Sequence, residues 1–194
     1  MSATSEGDKR SIQNSFVEVL DETLDGEDSP SPYTQLADLA SAMLPALGLN
    51  SQTELCIRIV DLPEMARLHE EWMGEPGATD VLSFPMDELR PRALGANGSL
   101  GGQDEPDEPG VLGDIVICPA YVETECDEPV SQRLELLIVH GMLHLIGLDH
   151  SDEIEQQEMF TVQQELLDRW RGQGEPLTRG VTSPLILGMM SESD

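Results

Sequence analysis

Apolar and polar positions along this chain fall into a few regular runs. In SFVEVLDE, residues 15–22, they alternate, which is the period of a strand with one buried face. YTQLADLASAMLPALGL spaces Leu36, Leu39, Met43 and Leu47 three or four apart, predicting a helix, and Gly48 stands where such a helix would stop. ELCIRIVDL puts Leu55, Ile57 and Ile59 on one face of a second strand. PEMARLHEEWM reads as a short helix opening on proline. ATDVLSFPM is a third strand, and VLGDIVICP a fourth whose nearly unbroken apolar run predicts burial on both faces. Two helices follow. SQRLELLIVHGMLHLIGL is apolar nearly all round from Leu136 and should be the central buried helix, whereas DEIEQQEMFTVQQELLDRWR is amphipathic and opens with a capping-box pattern, Asp152 with Glu155.

That order predicts an α+β fold, a mixed α/β layer arrangement in which a small mixed sheet of about four strands packs with about five helices. At 194 residues the chain is long enough for one domain with a sizeable core. Residues 1–14 are expected to be disordered, 15–171 to form the domain and 172–194 to be a flexible tail. Between the third and fourth strands, PRALGANGSLGGQDEPDEPG is rich in glycine, proline and acid and longer than an ordinary connection. Residues of about 91–110 are therefore expected to form a flexible acidic insert.

Charge narrows the partners. Against 38 acidic residues stand 10 basic ones, for a net charge of −28, and Lys9 is the only lysine. A general basic footprint is absent and DNA is not an expected partner. MSATSEGDKR is polar and no apolar run approaches the roughly 18 residues of a membrane span, so a cytoplasmic location away from membranes is expected. Cys56, Cys118 and Cys126 are odd in number and show no CxxC spacing, which suits reduced, structural thiols.

Three of the four histidines fall in HGMLHLIGLDH, residues 140–150. Four apart on a helix, His140 and His144 would project from one face about 5–6 Å apart at Cβ. Gly147 can end the helix in a left-handed conformation and let the chain turn back with His150. As core histidines each would need its own buried partner; the pattern HxxxHxxGxxH instead points to one metal ion per chain on the central helix. Three neutral imidazoles suit Zn2+ first, with nickel or another divalent ion as alternatives, and leave a coordination position open for water. Metzincin peptidases share the spacing as HExxHxxGxxH, where the glutamate acts as general base. Here that position is Gly141, so a metal-dependent peptidase or amidase would lack its usual base. A glycine costs the helix about 1 kcal/mol relative to alanine, which implies close approach by another backbone or a substrate.

HGMLHLIGLDH together with TDVLSFPMDE and LGDIVICP, in this order and at these separations, resembles the YbeY family of bacterial metal-dependent endoribonucleases over residues 15–171. The resemblance implies zinc held by His140, His144 and His150 beside a cleft, through which these three are the catalytic residues. It also implies single-strand-specific cleavage in ribosomal RNA maturation, at the 3′ end of the small-subunit RNA, and a part in ribosome quality control. The partners would be ribosomal RNA, the small ribosomal subunit and its assembly proteins. Many members carry an arginine just before the glycine preceding the third strand, where this chain has Met73 in EEWMGEPGATDVLSFP. Arg90 and Arg92, in DELRPR, are the nearest replacement cations in sequence, beside the alternative that they are ordinary surface residues. Asp149 either hydrogen-bonds a ligand imidazole or caps the turn. Asp80, Ser83 and Asp114 are read as turn or strand-entrance residues and His69 as a surface helical residue. Besides the nuclease, two functions stay open: the peptidase or amidase, and a non-catalytic, zinc-stabilised ribosome-assembly factor.

Overall fold

The structure is a computed structural model, and it describes residues 16–23, 31–89, 109–125, 128–148 and 153–172. Its elements in chain order are β1 (Val17–Asp21), α1 (Gln35–Ala46), β2 (Glu54–Ile59), α2 (Leu62–Met73), β3 (Val81–Pro85), β4 (Val111–Ile117), α3 (Pro119–Glu125), α4 (Val130–Leu145) and α5 (Glu153–Trp170). The four strands form one mixed sheet in the order β1-β2-β4-β3, with β1, β2 and β4 parallel and β3 antiparallel to β4 at one edge. This is the α+β architecture the pattern predicts. The elements beyond it in the sequence reading, residues 1–14, residues 91–108 of the insert and the tail after Gly172, lie outside the described residues.

Register explains the two-sided burial of β4. Val19, Ile57 and Ile115 are aligned across three strands and share one face of the sheet, where Leu55, Ile59 and Ile117 join them in the main core with α1, α4 and α5. On the opposite face Val116 and Leu82 pair across β4 and β3 and pack with Met65 and Leu68 of α2. The exposed indole of Trp72, also on α2, meets the Phe84 ring edge-on at 5.5 Å. α4 touches β3, β4, α1, α3 and α5, which makes it the central helix its composition predicts.

Two local features place that helix. The register slips from Glu54↔Val111 to Leu55↔Gly113, leaving Leu112 as an extra residue, and Gly113 takes φ 141°. A Cβ there would stand 2.2 Å from the Phe84 carbonyl oxygen, so only glycine lets β3 close on β4 at this bulge. At the other end of β3, Arg133 on the first turns of α4 donates to Asp80 Oδ2 at 3.1 Å, tying the strand entrance to the helix.

α3 has no counterpart in the sequence reading, because seven residues, PAYVETE, span too few turns to show a period. α2 begins at Leu62, with Asp61 as its cap accepting from the Glu64 amide at 2.9 Å and proline in the first turn. The expected Asp152 cap of α5 falls outside the described residues. Cys118 is buried and Cys56 half-buried, both as free thiols, and burial pushes both upward, Cys56 to about 11. Such thiols are protonated near neutral pH and poor nucleophiles. Cys126 lies outside the described residues. No helix among the described residues is long and apolar enough to cross a membrane.

Candidate metal centre

α4 buries Leu134, Leu137, Ile138, Val139, Met142, Leu143 and Leu145, and into this apolar helix the sequence inserts two half-buried imidazoles. His140 and His144, one turn apart, bring their Nε2 atoms to 3.1 Å, with ring centroids 4.5 Å apart and planes at 84°. Two nitrogens bonded at about 2.0–2.1 Å to one tetrahedral ion stand about 3.3 Å apart, so the pair is spaced for a single ion of that kind. His140 turns its other nitrogen the opposite way. Its Nδ1 lies 3.1 Å from Oε1 of Gln163, a buried residue of α5.

The helix ends as its glycine predicts. Gly147 takes φ 89°, its amide donates to the His144 carbonyl at 2.9 Å and the Leu148 amide donates to Leu143 at 3.0 Å, a Schellman stop with Leu148 and Leu143 both buried. The helix thereby ends before Asp149 and His150, which themselves lie outside the described residues. Among the described residues there is no group of three or more His, Cys, Asp or Glu side chains that could hold a metal. The expected third ligand is beyond them.

Gly141 answers the question raised by its missing glutamate. A Cβ on it would lie 3.0 Å from Ile115 Cδ1 and 3.0 Å from Ser83 Oγ, so this position faces the sheet and not the histidine pair. The close approach expected from the glycine is made by side chains of β3 and β4, rather than by backbone or substrate. Ser83 is thus a packing residue under α4, not only a strand-entrance residue.

Other candidates separate. His69 is not a freely exposed helical residue: its side chain is only 17% exposed, and its Nδ1 lies 2.9 Å from the Gly77 carbonyl, bracing the loop before β3. Asp80 holds Arg133, while Asp114 is half-buried on the α2 face of the sheet. Met73, where the resemblance leads to the expectation of an arginine, is exposed on the last turn of α2. Every described arginine is already committed to carboxylate: Arg58 to Glu22, Arg67 to Glu64 and Glu71, Arg133 to Asp80, Arg169 to Glu165 and Arg171 to Glu135. Arg90 and Arg92 lie outside the described residues. Sequence reading missed Gln163, although a signal existed: a lone amide in the apolar stripe of Met159, Val162, Leu166 and Leu167.

Comparison with known proteins decides the family. Residues 9–171 match the family model described as Endoribonuclease YbeY. The chain belongs to the YbeY endoribonuclease family. It is 50% identical over 141 residues to Endoribonuclease YbeY of Acidothermus cellulolyticus, covering 71% of this chain and 82% of that one. With Endoribonuclease YbeY of Thermobifida fusca it shares 46% identity over 145 residues, 73% of this chain and 88% of the relative. Among solved structures, the solution structure of TM1509 from Thermotoga maritima aligns with a TM-score of 0.47 at 23% identity, over 74% of this chain and 89% of that one. The YbeY match spans every element from β1 to α5 and includes the whole histidine motif.

Proposed function

We propose that this YbeY-family chain is a single-strand-specific, zinc-dependent endoribonuclease that processes ribosomal RNA at the 3′ end of the small-subunit transcript and serves ribosome quality control. The observation that carries the metal part is the 3.1 Å approach of His140 Nε2 to His144 Nε2 on a helix that Gly147 ends three positions before His150 in sequence. His140, His144 and His150 would hold the ion, and Asp149 would accept a hydrogen bond from one of the ligand imidazoles. When bound, the ion supplies Lewis acidity to a phosphoryl oxygen and to the attacking hydroxyl or water. The apolar wall of α4 and the sheet beneath it hold the imidazoles in place. They also keep the surroundings of low polarity, where a fixed charge acts strongly on an anionic substrate.

Holding RNA is the harder task for a chain of charge −28. With the described arginines paired to acids, phosphate contacts fall to Arg90 and Arg92, which follow β3 in sequence, and most of the substrate's orientation to the small ribosomal subunit and its assembly proteins that present it. The peptidase reading loses support, because the position of the metzincin base is packed against Ser83 and Ile115. Purified protein should carry about one zinc per chain and cleave a small-subunit precursor RNA internally. Cleavage should stop with a chelator, return on adding zinc, and be absent from casein. Unaltered RNA cleavage by metal-free protein would refute the metal assignment, and a lack of cleavage by fully loaded protein would favour the non-catalytic reading.

A further inference from the structure

Gln163 is one of only two buried polar residues among the described residues, at 7% exposure, and its neighbours on the buried stripe of α5 are Met159, Val162, Leu166 and Leu167. An amide in such a stripe destabilises the fold unless hydrogen bonding offsets its lost hydration. Here its Oε1 lies 3.1 Å from His140 Nδ1, while the Nε2 of the same ring lies 3.1 Å from His144 Nε2. We infer that Gln163 is a positioning residue of the metal centre: its amide oxygen accepts from His140 Nδ1–H, fixing the tautomer that leaves the Nε2 lone pair directed at the point shared with His144. The inference rests on the metal reading proposed above.

A neutral imidazole carries one proton on its two nitrogens, so the two tautomers of His140 have opposite consequences. With the proton on Nδ1, Nε2 is a ligand. With the Gln163 amide rotated to present its NH2 group, the proton would move to Nε2 and His140 could not coordinate. The partner on Nδ1 therefore decides whether the histidine pair is a metal site at all. The choice of an amide also has chemical sense. A neutral acceptor orients the ring while leaving the ion's charge for a phosphate, whereas a carboxylate would make the imidazole more basic, hold the ion more tightly and weaken its Lewis acidity. α5, remote in sequence from the strands, thus acts on the chemistry through one side chain.

The test compares the native chain with Gln163→Leu and Gln163→Glu in two measurements: the His140 tautomer in metal-free protein, by nitrogen-proton correlation NMR above the imidazole titration range, and zinc affinity, by competition with a chromogenic chelator. The native ring should carry its proton on Nδ1. Gln163→Leu should lose that preference and bind zinc about 10–100-fold more weakly, while Gln163→Glu should keep the Nδ1 proton and bind zinc at least as tightly. A merely structural role would change stability and leave the tautomer as it was. Persistence of the Nδ1 proton with unchanged zinc affinity in Gln163→Leu overturns the inference. If that variant fails to fold, loss of the Nδ1 proton or weaker zinc binding in Gln163→Glu does the same. Native protein that binds no zinc refutes the metal reading instead, and the metal-free tautomer still decides the Gln163 contact.

Discussion

Gly141 lies against Ser83 so closely that a single added methyl group would stand 3.0 Å from the serine oxygen. The helix that carries the histidines is seated on the sheet through this contact, and the place where a metzincin holds its base takes a side chain only if Ser83 or Ile115 gives way. Gly141→Ala should therefore destabilise the fold by about 1–2 kcal/mol, as overpacking of about 1–3 kcal/mol exceeds the helix propensity gained. Gly141→Glu would drive a carboxylate between α4 and Ile115 and should cost about 3 kcal/mol or more, with no gain in peptide hydrolysis. Urea unfolding reads both. A glutamate variant as stable as the native chain would show that the helix can lift off the sheet.

His144 offers the most direct test of the metal centre. His144→Ala should lose most of the bound zinc, since three protein ligands are the minimum expected of an open site, and RNA cleavage should fall with it. The fold should survive, because His144 is half-buried beside a large apolar core that does not depend on it. Chelation of the native protein should lower its melting temperature, as a ligand that binds only the folded chain stabilises it by mass action. Full zinc occupancy in the alanine variant would remove His144 from the site.

Period and punctuation made the elements legible, and they could not make their neighbours legible. Alternation marked β1 and β2, and Gly48 and Gly147 marked helix ends that the structure closes with left-handed turns of φ 74° and 89°. Nothing local says that β4 inserts between β2 and β3, or that β1 and β2 run parallel, since both follow from how α1 and α4 cover one face. The histidine pair was readable because helical spacing alone brings residues four apart together. Gln163 was readable only as a lone amide in an apolar stripe, and its partner was not, because the contact joins residues 23 positions apart on two helices. His69 misled for a related reason: its carbonyl partner, Gly77, lies past a turn whose course the sequence does not disclose.

Cys56 predicts how stability responds to alkali. Burial first, then the negative charges of Asp114 and Glu18, push its thiol from 9.0 to about 11, partly opposed by Arg58. Between those values the unfolded chain has already released a proton that the folded chain keeps, so the unfolded state binds fewer protons and stability falls as pH rises. Below the window this group contributes no slope, and above about 11 its loss is complete. Tyr33 and Cys118 shift in the same direction, so Cys56→Ala should reduce the alkaline slope of the urea midpoint without abolishing it. An unchanged slope in the variant would mean that Cys56 is as accessible to water folded as unfolded. Its alkylation in the native chain should be correspondingly slow at neutral pH.

The last prediction concerns how so acidic a chain meets a polyanion. If Arg90 and Arg92 each touch one phosphate, replacing both with alanine should lower the slope of log affinity against log salt by about 0.7 per contact for single-stranded RNA, with zinc content unchanged. The native slope itself should be small, since the five described arginines are already bound to carboxylates and have little charge to offer. Free RNA should accordingly bind weakly. Precursor presented on the ribosome does not depend on this steering, so its cleavage should change little in the double variant while cleavage of free RNA falls. Two arginines cannot offset 38 acids by long-range attraction, and their value is confined to contacts within about 10 Å, the screening length at 0.1 M salt. Tight, salt-sensitive binding of free RNA by the native chain, lost in the double variant, would show that these two cations suffice and that delivery by the ribosome is not required.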